Sequence, residues 1–310
     1  EGTGLCPSLS GAPLDPASPA VDLSCSHMGA DGVSKVLEHL RLRAEPIYPP
    51  GGADAVGVAD GDDGGAAAQF PVALNLRQCA LGDAGVAALM SSPWVCGPAG
   101  TSSLSLRENK LTATGLRGVL LALHGTPNRL ASLCLDFNPV GDAGLQYLPA
   151  YLGENGACLE ELSLRFCDVG VAGCRYVSSA LIKGSSAARG SEAGPRGVRS
   201  LSLMGNHIGD AGVRALASAL RKNCSLESLD LTRCSVGDEG AWHLAEALRS
   251  NTRLRELRLG YNKLTAAGAA ALGRLLRDGP GSLQTLDLRS NKVGDDGAWA
   301  LAMGSSAWGG

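Results

Sequence analysis

Cysteine and histidine are the residues in this chain best suited to chemistry: ten and five of them among 310. A zinc site would need them paired at short spacing, as in Cys-x-x-Cys or His-Glu-x-x-His. Neither pattern occurs, and Cys6, Cys25, Cys96, Cys134 and Cys174 share no ligand spacing. The histidines are scattered. His27 and His207 each follow a turn position by one residue, His243 lies beside Trp242 in a predicted helix, and His39 and His124 read as helix or helix-end residues. The nucleophile pattern Gly-x-Ser-x-Gly and the phosphate loop ending in Gly-Lys-Ser/Thr are absent. The stretch DGDDGG, starting at Asp60, lacks the other ligands and the distal Glu of an EF-hand calcium loop and reads as solvated. Paired carboxylates at Glu160 and Glu161, and at Asp295 and Asp296, read as polar and capping positions. These residues predict no enzyme, no metal and no cofactor.

Arginine and aromatic residues carry the remaining chemistry, that of recognition, and a repeat decides where they stand. The stretch Leu229 to Gly240, LDLTRCSVGDEG, recurs down the chain as Leu-x-Leu-x-x-Asn/Cys-x-aliphatic with a later Gly. Nine copies start at residues 21, 74, 104, 133, 162, 201, 229, 257 and 286. The short gaps are 28, 29 or 30 residues, while 53 and 39 mark insertions at 44–70 and 184–197. A fixed period of this length is the mark of a solenoid, whose units bury their apolar faces only against one another.

Each position of the unit has a physical reason. Leucines two apart point to one side of a strand, into a core. The strand then turns and leaves backbone groups without ladder partners, which a buried Asn amide satisfies with two donors and an acceptor. Cys at that place (Cys79, Cys167, Cys234) is the poorer substitute and is expected to be a buried structural thiol. The later Gly permits close backbone approach or positive φ as a helix begins. An apolar residue three before the first Leu (Leu130, Leu159, Val198, Leu226, Leu254, Leu283) packs beneath the returning chain.

The x positions of the strand then face the other side and form columns. The first column is Asn75, Ser105, Cys134, Ser163, Ser202, Asp230, Arg258 and Asp287. The second includes Arg77, Arg107, Asp136, Arg165, Met204 and Arg289, and the third includes Glu108, Phe137, Phe166, Arg233 and Tyr261. Strands lie about 4.8 Å apart, so residues of one column become neighbours. Arg77 is predicted beside Arg107, and Phe137 stacked on Phe166, two of only three Phe in the chain. Arg and aromatic residues dominate binding energy at interfaces, so this face is the expected partner site. Asp230 and Asp287, among Arg233, Arg258 and Arg289, also fit self-neutralising ion pairs.

The repeat resembles the leucine-rich repeat family, over about residues 21 to 303. The helix in every unit makes it similar to the ribonuclease-inhibitor-like subclass, which includes the repeat regions of NOD-like receptors and of Ran GTPase-activating protein. The resemblance implies an α/β fold, a right-handed horseshoe with a concave parallel β-sheet and outer α-helices. The ribonuclease inhibitor alternates Asn and Cys units strictly, whereas here the order is Cys, Asn, Asn, Cys, Asn, Cys, Asn, Asn, a departure that argues against the inhibitor itself. The implied function is a non-catalytic protein–protein interaction module that binds a protein on its concave face. The alternative is GTPase activation of the Ran-activator type, but no position here matches the Asn and loop of that family, and its acidic tail is missing.

Composition agrees with a binding module. The chain is 45% hydrophobic but only 4% aromatic, so its core is built from Leu, Val and Ala. A net charge of -3 gives no pull toward nucleic acid or anionic lipid, and no apolar run is long enough to span a bilayer. The scattered thiols suit a reducing, cytoplasmic compartment. Residues 1–20 are expected to be an irregular lead-in and 304–310 an unstructured tail. The opening EGTGLCPSL has no Met and reads as part of a longer or processed chain, monomeric or held in a larger complex. No polar cap follows the last helix, so either the protein continues or Trp299 and Trp308 partly cover that end.

Overall fold

The computed structural model describes residues 20–25, 73–97, 100–124, 130–154, 158–187 and 197–305, with isolated positions near 30. The lead-in 1–19, the first insertion 44–70 and most of the second lie outside the described residues. Nine strands form one parallel sheet in sequence order. They are β1 (Ala20–Asp22), β2 (Ala73–Asn75), β3 (Ser103–Ser105), β4 (Ser132–Cys134), β5 (Glu161–Ser163), β6 (Ser200–Ser202), β7 (Ser228–Asp230), β8 (Glu256–Arg258) and β9 (Thr285–Asp287). The repeat sets the register directly: Leu74 pairs with Leu104, Leu104 with Leu133, and so on to Leu257 with Leu286. Each strand is three residues long, because the chain turns away immediately after the second Leu. Parallel neighbours need a crossover, and a helix supplies it in every unit from β2 onward.

One continuous core fills the space between sheet and helices. The paired leucines, the aliphatic after the turn and the returning apolar residue all enter it: Leu229, Leu231, Val236 and Leu254 are each 1% exposed or less. In the unit after β4 the helix is broken into Gly141–Gly144, a 3-10 turn at Leu145–Tyr147, and Leu148–Glu154. Pro149 explains the break, since it has no N–H for the carbonyl four residues back. Two boundaries differ from expectation. The helix Val171–Ala187 runs on into the insertion expected from 184, and the last helix, Gly294–Ser305, enters the expected tail.

Asn and Cys do different work at the turn. Asn109, Asn138, Asn206, Asn262 and Asn291 each donate from Nδ2 to the strand-end carbonyl of the unit before, at 2.6 to 2.9 Å. Cys79, Cys167 and Cys234 replace that donor with S–H, at 3.0 to 3.2 Å from the equivalent carbonyls. Only Asn has an acceptor to offer in return. Asn206 Oδ1 takes the N–H groups of Cys167 and Val169, and Asn262 Oδ1 those of Cys234 and Val236. Where the next unit carries Cys, the chain bends instead so that Gly141 or Gly209 donates to the Cys carbonyl, and both glycines then take φ +58°. Gly82 makes the same bond to the Asn109 carbonyl at φ +59°, so what marks the Cys case is that Val140 and Ile208 donate to Asn138 O and Asn206 O of their own unit, where Val169 and Val236 donate to the Asn of the next.

The later Gly of the repeat serves close approach and not positive φ. At Gly115, Gly173, Gly240 and Gly268 a carboxylate from the unit before lies against it. Asp210 Oδ1 accepts from the N–H groups of Gly237 and Gly240, at 2.6 and 3.0 Å, and so caps the helix Asp238–Leu248 of the following unit. Asp142 does the same through Gly170, Asp83 through Thr112, and Asp238 through Thr265 and Gly268. A Cβ on Gly173 or Gly240 would lie 2.5 or 2.6 Å from that carboxylate. Helix capping thus crosses the boundary between units.

Asp238→Ala is expected to cost about 1–2 kcal/mol at neutral pH, the worth of a cap. Burial pushes the Asp238 carboxyl up, but hydrogen bonds from the Thr265 hydroxyl and the Thr265 and Gly268 amides outweigh it and hold the group below its ordinary range. The capping contribution is therefore complete above about pH 4, the unfolded value, and fades as pH falls through the lower folded value. Urea denaturation at pH 7 and pH 3 should show the gap between wild type and variant closing in acid. An unchanged gap would mean that Asp238 does not cap as a carboxylate.

At the far end Leu286, Leu288 and Leu301 are only partly buried. Trp299 is 69% exposed, and Trp308 falls outside the described residues.

Candidate functional site: the strand-turn edge of the sheet

The first column faces away from the core as expected, but most of it does not reach solvent; only Arg258 and Asp287, at its far end, are partly exposed. Asn75, Ser105, Cys134, Ser163, Ser202 and Asp230 are all buried, Ser202 completely. Parallel strands so closely spaced on an inner face crowd their side chains, and the longer residues of the second column fold over the shorter ones. Arg165 shows how. Its Nε donates to Ser202 Oγ at 2.9 Å, Ser202 donates to Asp230 at 3.2 Å, and the guanidinium lies 3.9 Å from the Asp230 carboxylate.

Asp136, predicted as a partner-binding residue, is 2% exposed. Its Oδ1 accepts from Ser163 Oγ at 2.5 Å and from the Arg165 amide at 3.0 Å. Asp136 is therefore a positioning group for the strand turn beneath the surface, and its expected role as a direct contact is corrected. A short acid among neighbouring serines is reached by their hydroxyls before solvent is.

The third column forms the exposed ledge. Arg77 and Arg107 do lie side by side, and they share one carboxylate: Glu108 is 3.4 Å from the first and 2.8 Å from the second. Burial raises the Glu108 pKa, but hydrogen bonds from Arg107 and Gln78 and the charges of both arginines prevail and lower it. The Arg107 guanidinium lies 4.5 Å over the Phe137 ring. Phe137 stacks on Phe166 with centroids 4.7 Å apart and planes 17° from parallel. Phe166 in turn lies over Gly205, where a Cβ would collide with the ring. Beyond that gap Arg233 covers the Tyr261 ring at 4.8 Å. Arg258 pairs with Glu256 at 2.6 Å and Arg289 with Asp287 at 3.1 Å, and Met204 is half-buried next to the column. Of the predicted residues, the structure brings Arg77, Arg107, Glu108, Phe137 and Phe166 into one continuous stack and Arg233 with Tyr261 into a second.

Every residue of this column is left-handed. Gln78, Glu108, Phe137, Phe166, Arg233, Tyr261 and Ser290 have φ between 51° and 57°, and Gly205 has φ 75°. The strand must reverse within one residue to bring Asn or Cys under the sheet, and that reversal uses the left-handed region. Bulky residues are outliers there and Gly or Asn the unstrained choices. The sequence signal for this lay at one site alone, in the Gly that stands at residue 205.

Known proteins carry the same pattern. A family model described as Leucine Rich repeat matches residues 72–90, 157–178, 198–217, 222–244, 250–273 and 282–302. A ribonuclease inhibitor of Mus musculus is 33% identical over 234 residues, 74% of this chain and 42% of that one. This chain is a leucine-rich-repeat protein of the ribonuclease-inhibitor-like kind. The Sus scrofa ribonuclease inhibitor is 31% identical over 235 residues, again 74% of this chain and 42% of that one. A human NACHT, LRR and PYD domains-containing protein 5 is 32% identical over 202 residues, 65% of this chain but 13% of that one. The chain thus spans less than half the length of these relatives. Its solenoid of strand, Asn/Cys turn and outer helix is the leucine-rich-repeat fold.

Four buried thiols of this leucine-rich-repeat protein lie in its core, away from that face. Burial pushes Cys167, Cys174 and Cys234 up to about 12 and Cys96 to about 11, so all four stay protonated. No described helix is long and apolar enough to cross a membrane.

Proposed function

We propose that this leucine-rich-repeat protein is a non-catalytic binding module that holds a protein partner along the strand-turn ledge. One observation carries the reading: two stacked phenylalanines, an arginine and a tyrosine occupy left-handed positions that Gly or Asn would fill without strain. Backbone strain of this kind persists where it serves a function. The ledge is rigid, since its backbone is fixed by the ladder on either side, and rigidity lowers the ordering cost of association. That relatives of this chain include ribonuclease inhibitors supports a protein as the ligand class. The nine free cysteines among the described residues support a reducing, cytoplasmic setting.

Two measurements test the proposal. Wild type and the double variant Arg107→Glu plus Phe166→Ala are compared in pull-downs. Recovery of bound protein should fall tenfold or more, and equal recovery would remove the ledge as the site. Single-turnover GTP hydrolysis by small GTPases should be unaffected by the chain, whereas acceleration would favour the Ran-activator alternative.

A further inference from the structure

The charges on the ledge are unevenly distributed. Among the described residues Glu108 is the one carboxylate within ion-pair reach of Arg77 and Arg107, so two guanidinium groups face one carboxylate at that end. In the middle, Phe137 and Phe166 present an apolar step, and Arg165 beneath them is offset by Asp230. At the other end Arg233 is exposed and touches the Tyr261 ring, and among the described residues it has no carboxylate within ion-pair reach. The Arg233 column position has only Gly205 between it and Phe166, so no side chain separates the guanidinium from the apolar step.

Resting on the binding role proposed above, we propose that the partner lays an extended acidic segment across the strands, with one large apolar side chain on Phe137 and Phe166 and a carboxylate at each end, one on Arg77 and Arg107 and one on Arg233. The geometry sets the spacing. From the unit of Glu108 to that of Arg233 is four strand steps of about 4.8 Å, or about 19 Å, which about six extended residues span at roughly 3.3 Å each. Residues an even number apart share one face of an extended chain. Carboxylates about six residues apart, with an aromatic or large aliphatic residue two or four after the first, therefore all point at the ledge. A neutral or basic segment would leave the excess charges of Arg233 and the Arg77–Arg107 pair uncompensated on desolvation.

A library of random peptides of about twelve residues, displayed on phage and selected on the immobilised chain, tests this. Binding of enriched peptides is then measured to wild type, Arg233→Glu and the double variant Phe137→Asn plus Phe166→Asn, each checked for fold by circular dichroism. Enrichment of acidic–apolar–acidic peptides that lose tenfold or more on either variant is the expected result. Neutral or basic peptides that need the phenylalanines but bind Arg233→Glu as well as wild type would overturn the acidic segment and leave the ledge standing. Peptides indifferent to both variants would overturn the ledge itself. Failure to enrich any peptide would overturn the claim that an extended segment is held there.

Discussion

Asn138→Ala should lower stability by about 4 kcal/mol. The side chain is fully buried. Its Nδ2 donates to Leu106 O at 2.9 Å and Leu135 O at 2.8 Å, and its Oδ1 accepts from Asn109 N at 2.9 Å and Leu111 N at 3.0 Å. Alanine strands two carbonyls and two amides in a dry layer, and each unsatisfied group costs about 1–3 kcal/mol, reduced where water can enter. Asn138→Cys should cost about half as much, because a thiol replaces the donor but not the acceptor. The converse change, Cys167→Asn, is expected to bring no gain. In the unit before it Val140 N already donates to Asn138 O at 2.8 Å, so an added amide acceptor would find that donor engaged. Asn291→Ala, in the half-exposed last unit, should cost only about 1 kcal/mol. Chemical denaturation reads these differences. Amide hydrogen exchange should show the loss at Asn138 concentrated in the units around β3 and β4, since a solenoid couples chiefly to its nearest neighbours. Equal losses at Asn138 and Asn291 would refute the acceptor account.

The double variant Phe137→Asn plus Phe166→Asn should separate stability from binding. Affinity for the partner is expected to fall about 100-fold or more, the scale of a paired aromatic hot spot. Stability should stay within about 1 kcal/mol of wild type. The left-handed backbone at φ 57° and 51° strains a phenylalanine and suits an asparagine, a relief of about 1 kcal/mol at each site. Against it stands the lost ring stack, worth about 0.5–1.5 kcal/mol, and some partly buried surface. Denaturation midpoints measured beside partner titrations decide the matter. Should the variant lose stability in step with affinity, the rings are structural and the ledge loses its main support.

The same columns show what can be read from the chain without coordinates. A solenoid maps each step of about 29 residues onto one nearly constant translation, so a period found in the letters is already a statement about neighbours. The adjacency of Arg77 with Arg107, and of Phe137 with Phe166, followed from that arithmetic, as did the burial of the paired leucines and of Cys79, Cys167 and Cys234. Exposure did not follow. Asp136 is closed off by groups of the next unit, the Ser163 hydroxyl and the Arg165 amide, which its own letters do not announce.

Conformation within the turn was equally closed to inspection. Whether the aliphatic N–H after the turn donates forward, as Val169 does to Asn206, or back within its own unit, as Val140 does to Asn138 O, goes with whether Asn206 or Cys167 follows one unit later, a dependence between units that no local propensity records. Sequence alone determined the repeat, the core it buries and which side chains stand next to each other, because those are set by periodicity. Only the tertiary structure decided which of them face the partner, which arginines keep a charge to offer, and which carboxylate caps which helix, because each is settled by competition between neighbouring units for the same few donors, acceptors and space.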